Sequence, residues 1–221
     1  MLFLVSMMKF VSFPERKDSI FQKASNKNVD IEITSSGSLG LYFDGKCHQT
    51  FPNVTISVDE DTDWCSNVAK SNEEKPWISY SLKNKVMKLT GYSVRNGCCH
   101  NRCCCYDDET FIDGSVKCCC WLYSFSLQGS NDNKTWKIIH KIEEDNEFYY
   151  CQFKTYEFQQ TESFRYVRFV SDEPYPKCPF CMQINQIELY GETVESFFSE
   201  DIEDNDESVS IIGKLNKNID E

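Results

Sequence analysis

The sequence contains few of the residues that catalytic and nucleic-acid-binding sites need. Its three histidines, His48, His100 and His140, do not fall in a recognisable Ser/His/Asp or Cys/His framework. Lysine and arginine number 23 against 35 aspartates and glutamates, and they form no basic stripe that could follow a phosphate backbone. We therefore expect neither an enzyme nor a nucleic-acid-binding protein.

Long apolar segments are also missing. The most apolar stretch, residues 1–13, is interrupted by Lys9 and is too short to span a bilayer. It lacks the basic start and the small-residue cleavage site of a secretion signal, and a degenerate signal is the alternative interpretation. We therefore expect no transmembrane segment and a cytoplasmic location, with secretion as the alternative.

Segments with a helical period are scarce, whereas aromatic residues and period-two alternation are common. Sixteen phenylalanines and eleven tyrosines suit strands, because flat side chains pack well on a pleated surface. In residues 121–128, Trp121, Tyr123, Phe125 and Leu127 would share one buried face, and residues 136–142 would pair with this strand across a turn. Further strands are expected at 29–34, 77–82, 86–95, 149–158, 164–171 and 182–190.

This many short strands, with no alternating helices, predict an all-β fold: an antiparallel sandwich or jelly roll. The chain ends differently, because residues 192–221 carry ten acidic residues and two lysines, which leaves only −4 of the net −12 for the rest. We therefore expect one domain over residues 10–191 and an acidic, disordered tail over 192–221.

Several short motifs, taken together and in order, resemble the coagulation factor 5/8 type C (discoidin) domain of the galactose-binding-like superfamily. They are Trp64-Cys65-Ser66, the run 75–82 from Lys-Pro-Trp to Ser-Leu, Leu89-Thr90-Gly91-Tyr92-Ser93, the run 127–136 around Gly-Ser-Asn-Asp-Asn, residues 164–169, and Ile187-Glu188-Leu189-Tyr190-Gly191. The resemblance implies a jelly-roll β-sandwich. Each of the four tryptophans would then be a buried scaffold residue.

Members of that family bind sugars, phospholipid head groups or proteins through loops at one end, and share no catalytic machinery. The resemblance therefore implies a non-catalytic recognition module that binds a protein or a carbohydrate. Its ligand would contact the loops 44–63, 97–118 and 131–134. The candidate contact residues there are Asp44, His48, Asn101, Arg102 and Asp132.

The resemblance also implies a structural calcium site. In sugar-binding members an aspartate, a threonine and the glutamate of the final strand often hold calcium, and oxygen ligands suit this ion. The matching residues are Asp61, Thr62 and Glu188. The turn lacks the glycine usual in the family, and a solvated charge run is the alternative.

Cysteines are concentrated between Tyr92 and Trp121, where eight of the thirteen lie. One interpretation is a zinc site, with ligands drawn from Cys98, His100, Cys103, Cys105, Cys118 and Cys120. The second is disulfides, which need an oxidising compartment. The third is that reduced cysteines act as small apolar side chains.

The alternative function is accordingly a metal- or thiol-responsive protein that acts through the loop 98–120. Cys178-Pro179-Phe180-Cys181 is expected to be a loop and not a redox motif, because it leads into a strand rather than a helix.

Overall fold

The computed structural model describes residues 16–57, 62–97, 102–105 and 120–196. These contain one short helix, α1 (Ile20–Asn26), a 3₁₀ helix (Pro52–Ile56) and twelve strands. The strands are β1 (Ile31–Ser35), β2 (Gly40–Phe43), β3 (Lys46–Gln49), β4 (Trp64–Cys65), β5 (Trp77–Leu82), β6 (Lys85–Asn96), β7 (Cys103–Cys105), β8 (Ser124–Ser130), β9 (Lys137–Ile142), β10 (Phe153–Glu157), β11 (Tyr166–Glu173) and β12 (Gln183–Glu195).

Nine of the strands form two facing layers. One layer has the order β1-β5-β11-β8-β9 and the other β10-β6-β12-β4, and all neighbouring strands are antiparallel. The layers are joined where β5 turns into β6, through a single pair between Leu82 and Lys85. The predicted fold class, an antiparallel β-sandwich, is confirmed.

The core lies between the two layers and is rich in aromatic rings. Tyr92 of β6 meets Phe169 of β11 edge-on, with ring centroids 5.1 Å apart, and Phe125 and Leu127 of β8 are fully buried beside them. His140 of β9 is half-buried, and its Nδ1 lies 3.0 Å from the Tyr92 hydroxyl. Period-two alternation therefore placed Phe125 and Leu127 correctly.

The tryptophans differ from expectation. Trp64 is fully buried, and its indole N–H donates to the Ser38 hydroxyl at 2.8 Å. Trp77, Trp121 and Trp136 are only half-buried, so the prediction of four buried scaffold tryptophans is wrong for these three. In β8 the cause is local, because the strand begins at Ser124 and Leu122, not Trp121, enters the core.

A separate, small sheet of three strands has the order β3-β2-β7 and was not expected. Its β2–β3 hairpin turns at Asp44 and Gly45, whose φ angles are 51° and 77°. This left-handed pair is what an Asp-Gly turn provides. The dipeptide was therefore a signal that sequence analysis could have used.

The two ends of the described chain also differ from expectation. Helix α1 was not predicted, because seven residues are too few to show a clear helical period. Strand β12 continues past Gly191 to Glu195, where the Glu195 carboxylate pairs with Lys85 at 2.5 Å. The rest of the expected tail, 197–221, lies outside the described residues. No helix in the described segments is long and apolar enough to cross a membrane.

Candidate ligand-binding site

The sandwich has two distinct ends. Strand β6 finishes at Asn96, whose side-chain oxygen accepts the Leu122 amide at 2.9 Å and whose side-chain nitrogen donates to the Phe148 carbonyl at 2.7 Å. These bonds bring the loops before β8 and β10 to one end, here called the cystine end. The β8–β9 hairpin, residues 131–136, lies at the opposite end, about 20 Å away along β8.

Disulfides hold the loops of the cystine end together. Cys47–Cys105 joins β3 to β7 within the small sheet, and Cys65–Cys104 joins β7 to β4. Cys120–Cys181 joins the segment before β8 to the loop before β12. Cys103, Cys151 and Cys178 are disulfide-bonded as well, so all nine described cysteines are oxidised. The interpretation of reduced, merely apolar cysteines is therefore wrong for these nine.

The same bonds bear on the zinc prediction. A disulfide sulfur is not a thiolate, so Cys103, Cys105 and Cys120 are not zinc ligands in this oxidised form. The described residues contain no group of three or more potential metal ligands. Cys98, His100 and Cys118 lie outside the described residues.

The Cys178–Cys181 segment is a loop, as predicted. Cys181 is bonded to Cys120 and not to Cys178, so the two cysteines of this motif do not form a dithiol pair.

Two of the predicted contact residues meet on the small sheet. His48 stacks on Phe43 with ring centroids 3.7 Å apart and planes 12° from parallel, and the Arg102 guanidinium carbon lies 4.8 Å from the centre of the Phe43 ring. Asp44 follows Phe43 at the exposed tip of the hairpin. Asn101 lies outside the described residues.

Asp132 lies at the opposite end, where its side chain stabilises the β8–β9 turn. Its Oδ1 accepts the amides of Lys134 and Thr135 at 2.9 and 2.7 Å and the Ser130 hydroxyl at 2.9 Å. These bonds hold the pKa of the Asp132 carboxyl well below its usual range. The structure thus separates Asp132 from the other predicted contact residues and makes it the cap of the β8–β9 turn.

Of the three predicted calcium ligands, the structure describes Glu188 and Thr62. The buried Glu188 carboxylate accepts the backbone amides of Phe21, Gln22 and Leu189 at 2.8, 3.3 and 3.0 Å. It therefore anchors the first turn of α1. The Thr62 carbonyl accepts the Asn185 side chain at 3.3 Å. Asp61 lies outside the described residues.

Among the described residues, the cystine end carries a group of aromatic rings that sequence analysis did not identify. Trp121 lies 5.0 Å from Tyr150, 5.4 Å from Tyr175 and 6.5 Å from Tyr149, measured between ring centroids. Tyr175 in turn meets Tyr123 edge-on at 5.3 Å. These five residues are called the aromatic cluster below.

The backbone presents the aromatic cluster in a fixed position. Tyr149 and Tyr150 expose 42% and 50% of their surface, which is unusual for adjacent large rings. Tyr150 and Cys151 have φ angles of 21° and 54°, a region that non-glycine residues rarely adopt. The Cys151 amide donates to the Gly97 carbonyl at 2.9 Å, and Cys151 is itself disulfide-bonded, so this strained turn is held from two directions.

Sequence periodicity could not reveal this cluster. Trp121 and Tyr123 were assigned to a core strand, and Tyr149 to the start of another strand. The usable signal was the position of two of these aromatic residues directly beside a cysteine, in Cys120-Trp121 and Tyr150-Cys151. Such pairs place a ring next to a covalently fixed backbone atom.

No family model and no curated protein matches the sequence. Solved structures similar to this chain include a carbohydrate-binding module, CpGH89CBM32-5 from Clostridium perfringens, in complex with GalNAc-β-1,3-galactose. It has a TM-score of 0.49 and 13% identity over 73% of this chain and 95% of that one.

Two further similar structures are carbohydrate-binding modules of the same type. The CBM32 of AlyQ, in complex with 4,5-unsaturated mannuronic acid, has a TM-score of 0.47 and 15% identity, over 74% of this chain and 97% of that one. The family 32 module of C. perfringens NanJ, in complex with galactose, has a TM-score of 0.45 and 10% identity, over 79% and 98%. At such identities the likeness concerns the fold alone.

Proposed function

We propose that this chain is a non-catalytic carbohydrate-binding module whose ligand contacts the aromatic cluster at the cystine end. The observation that carries the proposal is the exposure of Tyr149 and Tyr150 beside Trp121, on a backbone fixed by disulfides. The similar solved structures are modules with bound sugars, which agrees with this class of ligand without identifying it.

The chemistry of the rings supports a sugar ligand. A pyranose ring has an apolar face of C–H groups and a rim of hydroxyls. Tryptophan and tyrosine rings offer flat apolar area to the face, and tyrosine hydroxyls can exchange hydrogen bonds with the rim. Such side chains lose little conformational entropy on binding because they have only two side-chain torsions. The aromatic cluster provides both components.

The oxidised cysteines support a secreted location over the cytoplasmic one expected from the N-terminal residues. Stable disulfides form in oxidising compartments such as the cell exterior. All nine described cysteines are disulfide-bonded, whereas the cysteines of cytosolic proteins are usually kept reduced. A protein that acts outside the cell would also meet polymeric and cell-surface sugars.

The test is a glycan array followed by calorimetric titration of the sugars that bind. Trp121→Ala and Tyr150→Ala should each weaken binding by tenfold or more. Trp136→Ala is the matched control, because Trp136 is also half-buried but lies at the opposite end, with the Arg168 guanidinium 4.0 Å from the centre of its ring. Sugar binding that survives both cystine-end variants, or no binding to any glycan, would contradict the proposal, and the second result would favour a protein ligand.

A further inference from the structure

We propose that the aromatic cluster selects sugars bearing a free ammonium group, that is glucosamine-type amino sugars, over neutral and anionic sugars. This inference rests on the proposed function and concerns the ligand class of the same site. Its basis is the combination of ring faces with a surplus of carboxylates on the loops that border them.

The loop after β9 brings the first of these carboxylates to the cluster. The Asp145 amide donates to the Tyr123 carbonyl at 3.0 Å, and the Glu144 amide donates to the Ser124 hydroxyl at 3.1 Å. The Ser124 hydroxyl also donates to the Glu173 carboxylate at 3.2 Å. Glu144 and Glu173 are therefore both anchored at Ser124, the residue next to Tyr123 of the cluster.

The negative charges of Glu144 and Glu173 act on Tyr123, a residue of the aromatic cluster. Burial, and then the negative charges of Glu144 and Glu173, raise the pKa of the Tyr123 hydroxyl. Tyr123 contacts Tyr175, and Tyr175 contacts Trp121, so a chain of ring contacts leads from these acidic groups to Trp121. An open cleft of about 400 Å³ is lined by four carboxylates, those of Glu143, Glu144, Asp172 and Glu173, and by two lysines, Lys75 and Lys141.

Most nearby cations are already paired with carboxylates. Lys75 binds Asp172 at 2.9 Å, and the ammonium groups of Lys141 and Lys154 each lie 2.5 Å from their partners, Glu143 and Asp145. Glu144, Glu147 and Glu173 then remain exposed, and within the described segments none of them is in an ion pair. Lys177, exposed on the turn after Tyr175, opposes them with a single charge.

Both the aromatic rings and the carboxylates would attract the ammonium group of a bound ligand. Ring faces attract cations through their quadrupole, and tryptophan does so best. The exposed carboxylates add attraction for a cation and repulsion for a uronate or a sialate. A neutral N-acetylated sugar would keep the stacking and lose the charge contribution. The expected order of affinity is therefore cationic, then neutral, then anionic.

The experiment compares three sugar oligomers by calorimetry at pH 5.5: the glucosamine hexamer, the N-acetylglucosamine hexamer and an oligouronate of similar length. We expect the glucosamine hexamer to bind tenfold or more tighter than its acetylated form, with a preference that shrinks at high salt. The double variant E144Q/E173Q should abolish the preference. Glu162→Gln, an exposed carboxylate at the opposite end, is the matched control and should retain it.

The outcomes separate this inference from the proposed function. Equal binding of the cationic and neutral hexamers, or an unchanged preference in E144Q/E173Q, would overturn the selectivity and leave a sugar-binding cluster in place. Tighter binding of the oligouronate would do the same. Glucosamine binding that does not depend on Trp121 would show attraction to the acidic chain as a whole, and it would overturn both.

Discussion

The two ends of the sandwich are stabilised in different ways. At the opposite end the chain turns tightly: Asp132 caps one hairpin, and Asn84, at φ 58°, occupies the left-handed position of another. At the cystine end, apart from the Asp44–Gly45 hairpin turn, the loops are long and irregular, and disulfides fix them. Local hydrogen bonds suffice where a turn is short, whereas exposed rings on long loops need covalent support. The cystine end therefore carries exposed aromatic side chains on a backbone that disulfides fix.

The largest expected effect comes from the covalent part of the cystine end. Replacing Cys120 and Cys181 together by serine leaves no unpaired thiol from this bridge and reopens a loop of 61 residues. Loop-closure entropy predicts a loss of about 4 kcal/mol in the free energy of unfolding. Guanidinium unfolding measures it. A loss below about 1 kcal/mol would show that the cystine end does not depend on this disulfide.

The next effect concerns α1, which a single carboxylate anchors. Burial, opposed by backbone amides, raises the pKa of Glu188 to about 7. Because this folded-state value lies above the ordinary value of 4.5, the folded protein binds the proton more tightly than the unfolded chain. The contribution to stability is therefore complete below pH 4.5 and is lost as the pH rises to 7.

The magnitude of that loss is about 3 kcal/mol, from 1.4 kcal/mol for each pKa unit. Glu188→Gln should remove this pH dependence, since the amide oxygen still accepts hydrogen bonds but does not titrate. Thermal unfolding of both proteins from pH 4 to pH 8 measures the difference. If stability depended on pH in the same way in both proteins, Glu188 would not be the source of the pH dependence.

A smaller effect is expected where β8 enters the opposite end. A Cβ added at Gly129 would lie 2.5 Å from the Phe164 ring, so Gly129→Ala should cost about 1–3 kcal/mol by overpacking. Gly45 offers the control at the cystine end, because its Cβ would meet nothing within 4 Å and asparagine tolerates its φ of 77°. Urea unfolding should find Gly45→Asn close to wild type; equal losses at the two sites would refute the packing argument.

The smallest effect belongs to Asp132. Asp132→Ala removes the acceptor of two backbone amides and should lower stability by about 1 kcal/mol. Sugar affinity should not change, because Asp132 lies at the end remote from the aromatic cluster. A calorimetric titration that showed weaker sugar binding in this variant would move the ligand site to the opposite end.

Sequence patterns predicted the scaffold better than the site for a physical reason. Phe125 and Leu127 alternate with serines because one face of β8 packs into the apolar core, and this alternation is a local property of the chain. The pairing of Cys120 with Cys181 and the meeting of Trp121 with Tyr175 join positions more than fifty residues apart. No local pattern encodes such contacts. The aromatic cluster therefore became visible only in three dimensions.

The site residues chosen by resemblance show the same limit. His48 and Arg102 both contact Phe43, because β2 pairs with both β3 and β7. Asp132 sits in a motif that resembles the family equally well but caps a turn. A motif residue can serve the backbone or the ligand, and only its contacts distinguish the two.

The most direct test of the central claim is amide hydrogen exchange with and without a sugar oligomer that binds. Protection should increase in residues 120–123, 144–152 and 173–178, where the aromatic cluster and its acidic border lie, and residues 131–136 should exchange at unchanged rates. Protection confined to residues 131–136, with none around Trp121 and Tyr150, would contradict a ligand site at the cystine end.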